Sequence, residues 1–518
     1  MNPMQSTIFG VIATPLPSNL AAIRCEAQGD DWLRLAQELH ASGARLLTLW
    51  GADDRDRCGS FRIRAAWLTP DGLVVTERRI ADTEQPSWPS LAELFASAAR
   101  MQRAVFDLLG IRATGSDARG WLRHSGWPED IFPLRRDFDA TMQYPSQPEP
   151  YPFVLVEGDG VHEIAVGPVH AGIIEPGHFR FSVVGEKVLR LEERLGYTHK
   201  GVAKLFQGMS QKLGHRLAAR ISGDSAVAFS WAWCVALEAI TRTVCPERAL
   251  HLRALALEHE RLANHLGDLG ALGNDAGFAF GLTQFSRMKE DLLRANADLL
   301  GARYLMDFIL PGGVGRDLPG FAAGQLLHLY RELADGVAGM RSIYDEHAGI
   351  QDRFREAGRL TPDLAEKLGA VGLAARASGI ASDLRADHPW PPYDKLAPKL
   401  VTQPSGDVAA RVQVRFDEIF ESLRLCRALL EALSGGPVRT YLPPAEANRA
   451  GIGVIEGWRG PVAIALETGP DGTIRWCHAH DPSVQNWPLL EYAIIGNIVP
   501  DFPLINKSFN LSYSGQDG

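Results

Sequence analysis

The spacing of apolar residues divides the chain into a mixed N-terminal region and a long, mainly helical region. Over residues 31–42 apolar side chains recur at helical spacing, and three apolar stretches typical of strands follow. These stretches read ARLLTLWGA, SFRIRAAWL and GLVVTERRI. A second helix is predicted over 89–109. The pattern therefore indicates a small α+β unit in the first part of the chain.

A second sheet and a run of helices are predicted after a proline-rich segment. TMQYPSQPEPYPFVL, residues 139–153, reads as an extended linker, and VEGDGVHEIAVGPVHAG and EPGHFRFSVVGEKVLRLEERL then alternate as short strands. Strand character returns near the end in GIGVIEGWRGPVAIALE and TIRWCHAH. The predicted helices between them are 199–214, 224–245, 247–271, 283–308, 319–346, 361–377 and 407–434.

These patterns predict an α+β fold of two domains. Residues 1–138 form an α+β docking domain, 139–153 the linker, and 154–518 a mainly α-helical domain with short β-strands near both ends. The first domain is interpreted as a docking module because it offers no cofactor constellation.

Composition and charge exclude several classes of function. The 518 residues carry a net charge of −9 with scattered Lys and Arg, which argues against nucleic-acid binding. The six cysteines have no CxxC spacing, so neither a metal site nor a cluster site is predicted, and packing roles in a reducing compartment are expected. No GxGxxG follows a predicted strand, which argues against NAD binding. No signal peptide is recognisable, and the longest apolar run, 226–237, is too short to span a bilayer of about 30 Å.

Polar side chains are concentrated at a turn between two predicted strands, in GPVHAGIIEPGHFRF at 167–181. Glu175 and His178 lie here with His170 and Arg180, and the glycines favour an irregular backbone that can form the wall of a polar pocket. Hydrogen bonding within the turn is the alternative role.

Charged residues also occur together in ASGIASDLRADHP at 377–389. Asp383 and Arg385 are too close in sequence for a helical i, i+4 pair, so one or both are expected to point from an irregular turn. They either line a cavity or form a salt-bridged loop. In LEHERLANHLGDLG, residues 257–270, the polar side chains of one predicted helix are interpreted as a buried network.

Two further segments, RISGDS at 220–225 and SFNLSYSGQDG at 508–518, carry a resemblance to a known family. They resemble the metal-binding segments of the large subunit of membrane-bound, energy-converting NiFe hydrogenases of the formate hydrogenlyase type, relatives of the quinone-site subunit of complex I. In those hydrogenases the segments read like RVCGIC and SLDPCYSC. The resemblance places the four thiolate positions at Ser222, Ser225, Ser512 and Gly515. Because a soft bimetallic site needs thiolate sulfur, it implies a hydrogenase frame that has lost its metal ligands and binds no metal.

Other motifs extend the resemblance over about 95–518. WPEDIFPLRRDF at 127–138 resembles the end of the small hydrophilic subunit of complex I, which precedes or is fused to the large one. EPGHFR and SDLRADHP resemble family motifs, and EGWRG retains Arg459 of the family's EAPRG. The His and Tyr of the complex I quinone site correspond to Pro176 and the vicinity of Gly223, so that pair is missing as well.

The resemblance implies partners, cofactors and a location. It implies no cofactor bound by this chain, an Fe–S cluster in a small partner subunit, a quinone as a candidate ligand, and antiporter-like and other membrane-arm subunits. The expected location is peripheral, on the cytoplasmic face of the inner (cell) membrane, without a span of its own. The candidate proton and charge carriers of the cavity are Glu175, His178, Asp224, Asp383 and Arg385, and Arg459 with the four former ligand positions forms the candidate binding surface.

Two functions stay open from the sequence. In the first, the chain is an oxidoreductase subunit whose metal-free polar cavity passes electrons from the partner's cluster to a quinone-like or other non-hydrogen acceptor, coupled to ion translocation. In the second, it is a redox-silent scaffold or coupling subunit between the peripheral arm and the membrane arm. A functional NiFe hydrogenase is not expected.

Overall fold

A six-stranded sheet forms the N-terminal part of the protein in the computed structural model, which describes residues 6–124, 126–145, 150–170 and 174–518. The strand order is β1-β2-β3-β6-β5-β4, and all neighbours are antiparallel except β3 and β6. The strands are β1 (Ser6–Ile8), β2 (Val11–Pro15), β3 (Ala22–Glu26), β4 (Arg45–Asp53), β5 (Phe61–Thr69) and β6 (Gly72–Ile80). The predictions for β4, β5 and β6 agree with the structure, whereas the sequence reasoning missed β1, β2 and β3.

Short helices and a small parallel strand pair surround this sheet. They are α1 (Asp31–Ala41), α2 (Arg55–Cys58), α3 (Ala98–Leu109), β7 (Ser87–Pro89) and β8 (Arg112–Thr114). Helix α1 buries Trp32, Leu35, Ala36 and Leu39, whose spacing led to the prediction. Helix α3 packs on β4.

Smaller sheets lie in the second part of the chain. One has the order β11-β10-β9, one pairs β12 with β13, and one has the order β14-β15-β16. The strands are β9 (Val161–Val166), β10 (His178–Val184), β11 (Lys187–Arg194), β12 (Ile309–Leu310), β13 (Gly313–Val314), β14 (Ala450–Glu456), β15 (Pro461–Thr468) and β16 (Ile474–His480). Strands near both ends of this part were predicted.

Helices make up most of the remaining structure. They are α4 (Val202–Phe206), α5 (Gly214–Ala218), α6 (Ala226–Thr241), α7 (Glu247–Asp275), α8 (Ala279–Ala295), α9 (Ala322–Glu346), α10 (Ala348–Phe354), α11 (Pro362–Leu368), α12 (Gly372–Arg376), α13 (Leu384–Asp387), α14 (Tyr393–Leu396), α15 (Val408–Glu431), α16 (Ser483–Ala493), α17 (Phe502–Phe509) and α18 (Tyr513–Asp517). The α+β fold class is confirmed.

Helix α6 lies at the centre of the molecule. Its residues from Ala226 to Glu238 are all buried, which explains why the sequence is apolar around the whole helix rather than on one face. It packs against β14, β15 and α7, and α7 packs in turn against α8 and α15. The start of α6 and the middle of α7, where Asn264 Nδ2 donates to Asp224 O, position the candidate site.

The N-terminal sheet and the C-terminal sheet are joined by direct contacts. Asn19 Nδ2 donates to Val454 O at 2.8 Å, and Val454 N donates back to Asn19 Oδ1 at 3.0 Å. Buried residues of β4, including Leu47 and Trp50, belong to the same hydrophobic core as α6 and β16. The two parts of the chain therefore pack as one body, and the domain boundaries at 138 and 153 stay predictions.

Several predicted helices are shorter than expected. The prediction of 89–109 is wrong before Ala98, because Gln102 Oε1 accepts from Leu91 N at 2.8 Å and Ser90 Oγ accepts from Ala92 N, so side chains bind the amides that a helix would need. The predicted helix 199–214 is divided into α4 and α5, because Gly208 N donates to Ile474 O at 2.8 Å.

Glycines in the left-handed region end two other predicted helices. The segment 361–377 is divided at Gly369 (φ +74°), and α8 with the π-helical turn Asn296–Leu300 ends at Gly301 (φ +94°) rather than at 308.

The six cysteines are all free thiols, and only Cys58 is not buried. No helix in the described ranges has both the length and the apolar character needed to cross a membrane.

Candidate functional site

The two segments that carry the former ligand positions, 220–225 and 508–518, meet next to the first residues of α6. Ser225 precedes α6, and Ser512 precedes α18 and caps it by accepting from Gly515 N at 2.8 Å. Ser222 Oγ and Ser512 Oγ are 2.8 Å apart although 290 positions separate them in the sequence. The structure therefore brings these predicted residues together.

A directed chain of hydrogen bonds runs through the two hydroxyl groups. Ser222 Oγ donates to Asp224 Oδ1 at 2.8 Å, so its remaining lone pairs accept from Ser512 Oγ, which itself accepts from Gly515 N. Because an ionised carboxylate only accepts, the chain has one direction, from Gly515 to Asp224. Protonation of Asp224 would allow the two hydroxyl groups to turn around.

Arg459 closes this cluster with a bidentate ion pair. Its Nη2 lies 2.5 Å from Asp224 Oδ2 and its Nη1 lies 2.7 Å from Oδ1, while its Nε donates to Asn510 O. Burial favours the neutral acid, but the charge and hydrogen bonds of Arg459 hold the pKa of Asp224 below its usual value. Asp224 keeps 37% of its side chain exposed, so the ion pair can be reached from outside.

Asp481 occupies the space beside Gly515. A β-carbon on Gly515 would lie 2.4 Å from Asp481 Oδ2 and 2.9 Å from Ser512 Oγ, so no larger side chain fits without movement. Asp481 is 1% exposed, its Oδ1 accepts from Ser483 N at 2.8 Å, and its Oδ2 has no hydrogen-bond partner in the described part of the chain. Burial raises its pKa. The sequence reasoning missed Asp481; the only signal was its position within residues 95–518, over which the family resemblance extends.

Glu175 reaches the site, whereas His178 does not. Glu175 Oε2 accepts from Ser514 N at 3.0 Å, next to the Ser512 cap. His178 Nδ1 contacts Gly167 O at 3.3 Å, its ring packs 5.3 Å from that of Phe153, and burial lowers its pKa. His178 thus has the role in the turn that the sequence left open as the alternative.

Lys200 makes hydrogen bonds to both segments of the site, the one that ends at Ser225 and the one that ends at Gly518. Its Nζ donates to Ile221 O at 2.6 Å and to Arg220 O at 2.9 Å, and its backbone N donates to Gly518 O at 2.8 Å. The carboxylate of Asp517 points towards the segment before Lys200, where it accepts hydrogen bonds from Gly196 N and Thr198 Oγ1. Asp517 therefore supports the C-terminal segment and does not join Asp224.

A buried carboxyl lies behind the start of α6. Glu260 Oε2 accepts from Val227 N at 2.7 Å and Oε1 from Ala228 N at 3.2 Å, and burial raises its pKa to about 8. Asn264 Nδ2 and Trp458 Nε1 both donate to Asp224 O at 2.9 Å. Glu260 was predicted as part of a structural network, and its tendency to hold a proton near neutral pH was not predicted.

Asp383 and Arg385 belong to a separate buried ionic network. Arg385 Nη2 lies 2.7 Å from Asp383 Oδ2 and its Nη1 lies 2.9 Å from Glu258 Oε1, while Tyr393 OH donates to the same Glu258 at 2.6 Å. Asp383, in an extended conformation, caps α13 by accepting from Arg385 N, and Arg385 lies within that helix. Neither residue contacts Asp224.

The two groups of residues are linked through α12, α15 and β14. Arg376 lies 3.8 Å from Asp383, 2.7 Å from Glu418 and 3.1 Å from Glu456, and Glu456 precedes Arg459 by three positions. Burial and the charge of Asp383 raise the pKa of Glu456 to about 7.

In the described residues, no group of three or more His, Cys, Asp and Glu side chains is arranged to hold a metal ion.

Comparison with known proteins identifies the family. Residues 25–144 match the family described as "Respiratory-chain NADH dehydrogenase, 30 Kd subunit", and residues 275–451 match the one described as "Respiratory-chain NADH dehydrogenase, 49 Kd subunit". Formate hydrogenlyase subunit 5 of Escherichia coli is 32% identical over 498 residues, which cover 92% of this chain and 85% of that protein. The chain belongs to this family of subunits of complex I-like and membrane-bound hydrogenase-type complexes.

Another relative and one solved structure are similar over much of the chain. The C/D subunit of NADH-quinone oxidoreductase from Bacteroides thetaiotaomicron is 27% identical, and the match covers 85% of this chain and 89% of that protein. A chain of the archaeal membrane-bound sulfane sulfur reductase, a respiratory membrane complex, superposes with a TM-score of 0.65 at 24% identity and covers 69% of this chain and 99% of its own. This last likeness supports the fold alone.

Proposed function

We propose that this chain is the redox subunit of a complex I-like membrane complex and that it passes electrons to a quinone-like acceptor without a metal of its own. The observation that carries the proposal is the Ser222–Ser512–Asp224–Arg459 cluster, which joins two hydroxyls to an accessible ion pair. Hydroxyls and a carboxylate bonded to one another can carry protons, and a partly exposed ion pair can bind a polar oxygen of an acceptor.

The donor atoms at the former ligand positions do not fit a nickel–iron centre. Ser222, Ser225 and Ser512 offer hydroxyl oxygen, and Gly515 offers no side chain. Thiolate sulfur is the ligand that such soft metal sites require. The Asp481 carboxylate and the Arg459 side chain fill adjoining space, and no step of the proposed reaction passes through a metal.

Electrons and protons reach the acceptor by separate routes in this proposal. Two electrons come from an Fe–S cluster of a partner subunit, and two protons convert the quinone to the quinol. Asp224 receives protons through Ser222 and Ser512. Glu175 lies beside this chain, where its carboxylate accepts from the backbone N of Ser514. Glu260, with its raised pKa, is a further proton store behind the start of α6.

The partners and location follow from family membership. The relatives are subunits of multi-subunit complexes, among them formate hydrogenlyase and NADH-quinone oxidoreductase. We infer for this chain a small Fe–S subunit, antiporter-like and other membrane-arm subunits, and a peripheral position on the cytoplasmic face of the cell membrane. Asp224 would face the cluster-bearing partner, because its side chain is partly exposed in the isolated chain.

Turnover of the purified complex with a soluble quinone analogue tests the proposal. Glu175→Gln and Asp224→Asn are expected to lower kcat by about 100-fold, the scale of a lost proton donor or acceptor. Glu186→Gln, an exposed change in the turn after β10, is the matched control and is expected to leave kcat unchanged. Wild-type turnover in both site variants would contradict the assignment.

A redox-silent coupling role is the second candidate. It is favoured by the buried network of Asp383, Arg385, Glu258, Arg376 and Glu456, because its ion pairs extend from α7 and α13 to β14, the strand that precedes Arg459. Such a network can transmit a change of charge without binding an acceptor. Electron paramagnetic resonance separates the two candidates: a partner cluster that is reoxidised by the quinone analogue supports the redox role, and one that stays reduced supports coupling.

A further inference from the structure

An interior cavity lies where the N-terminal sheet meets the C-terminal end of the chain. It encloses about 140 Å³ between β4, α3, α4, β16 and residues 515–518. Ser222, Asp224 and Glu175 do not line it, and of the four former ligand positions only Gly515 does. Its position at the junction of two parts of the chain is typical of small-molecule sites.

Most of the cavity wall is apolar. Side chains from the helix α3 face and from α4 and β4 contribute hydrocarbon surface, namely Leu49, Met101, Ala104, Val105, Val202 and Phe206. The indole of Trp50 stacks on the imidazole of His478, with ring centres 5.1 Å apart and planes 6° apart. Such a wall favours a flat, apolar molecule.

Several polar groups of the wall are neutral or already paired, whereas Arg136 and Asp517 have no ion-pair partner in the described residues. Arg100 Nη1 lies 2.9 Å from Glu193, and Asp53 lies 2.7 Å from Arg55. His478 Nε2 lies 2.7 Å from Thr48 Oγ1, and burial lowers its pKa to about 3, so the imidazole is uncharged at neutral pH. The neutral and paired groups favour an uncharged occupant, because a charged molecule loses its hydration on entering an apolar cavity.

Two buried polar atoms of the wall lack partners in the described residues. They are Nε1 of Trp50, a donor, and Oε1 of Gln516, an acceptor. Trp50 is 4% and Gln516 is 7% exposed. Because buried polar atoms in proteins are nearly always hydrogen bonded, a bound molecule with one accepting and one donating group would complete both.

We propose that this cavity is a binding site for a neutral, single-ring molecule with a hydroxyl substituent, of the phenol class. An engineered cavity of about 150 Å³ lined by apolar side chains binds benzene, so the volume here is suited to one ring. A phenol hydroxyl both accepts and donates, which matches Trp50 and Gln516. The site goes beyond the proposed redox role and stands without it.

Calorimetric titration of the full chain with phenol tests the site. Ala104→Leu extends into the cavity, and Ala99→Leu adds the same atoms to the same helix outside it. We expect wild type and Ala99→Leu to bind one phenol, and Ala104→Leu to bind it at least about ten-fold more weakly, because each lost methylene-sized contact is worth about four-fold. Benzoate, which is charged, is expected not to bind.

A second variant and a second probe keep the test decisive if Ala104→Leu does not fold. Trp50→Phe removes the donor and is expected to weaken phenol about five-fold, the scale of one hydrogen bond. Wild-type crystals under xenon pressure are expected to show one xenon atom in the cavity. Equal phenol affinity in wild type and Ala104→Leu, or a cavity that takes up only water, would overturn the proposal.

Discussion

Replacing Gly515 by alanine tests how tightly Asp481 fills the former ligand position. The new β-carbon would lie 2.4 Å from Asp481 Oδ2 and 2.6 Å from its Cγ, well inside van der Waals contact. Asp481 cannot swing into solvent, because it is 1% exposed and held by Ser483 N at 2.8 Å. The substitution must therefore move either Asp481 or the α18 backbone.

The expected cost follows from three contributions. Overpacking of a tight interior costs about 1–3 kcal/mol. A displaced carboxyl loses one hydrogen bond, which adds about 1 kcal/mol. Because Gly515 lies in α18, alanine regains about 1 kcal/mol of helix propensity. The net expectation is a loss of about 1–3 kcal/mol in the free energy of unfolding.

Urea denaturation of matched variants isolates the clash. Gly324 also lies in a helix, α9, and a β-carbon added there would meet nothing within 4 Å, so Gly324→Ala is expected to stabilise by about 0.5–1 kcal/mol. Adding Asp481→Ser, which is shorter and can still accept from Ser483 N, is expected to rescue most of the loss in Gly515→Ala. Equal stability of Gly515→Ala and Gly324→Ala, or no rescue, would refute the packing at this position.

Two further predictions concern the buried acids. Glu260 has a pKa of about 8 in the folded protein, raised from 4.5. The stability that its protonated form contributes is therefore complete at low pH, and the free energy of unfolding falls by about 1.4 kcal/mol per pH unit between 4.5 and 8. Urea titrations at pH 5, 7 and 9 should show a weaker pH dependence of stability in Glu260→Gln than in wild type. Arg385→Met removes the shortest ion pairs of Asp383 and Glu258, which keep only Arg376 and Arg261 at 3.8 Å, and is expected to cost about 3–5 kcal/mol. Arg294→Met, in an exposed pair, should cost at most about 1 kcal/mol by the same assay.

The pattern of apolar residues correctly predicted the elements that are buried along most of their length. The burial of α6 and the nearly continuous burial of β4, β5 and β6 are visible as apolar patterns. The predictions failed where one side chain or glycine competes with the helix, as at Gln102 and Gly369. Whether such a residue interrupts a helix depends on its contacts in the folded protein, and the spacing of apolar residues carries no information about these contacts.

The candidate site was predictable only through the resemblance of its segments. Ser222 and Ser512 lie 290 positions apart, and no pattern within the chain indicates that their hydroxyl groups touch. Asp481 and the raised pKa of Glu260 arise from burial by several elements, which sequence patterns do not report. An irregular turn was predicted for one or both of Asp383 and Arg385, whereas Asp383 caps α13 and Arg385 lies within it. Their partner Glu258 lies 127 positions from Arg385 and was not predicted in that role.

Metal content of the purified complex is the most direct test of the central claim, that hydroxyl and carboxyl groups replace a metal centre in this chain. Plasma mass spectrometry should find iron in the amount that the partner's clusters require and no nickel in stoichiometric amount, because Ser222, Ser225, Ser512 and Gly515 supply no thiolate. About one nickel per chain would contradict the account.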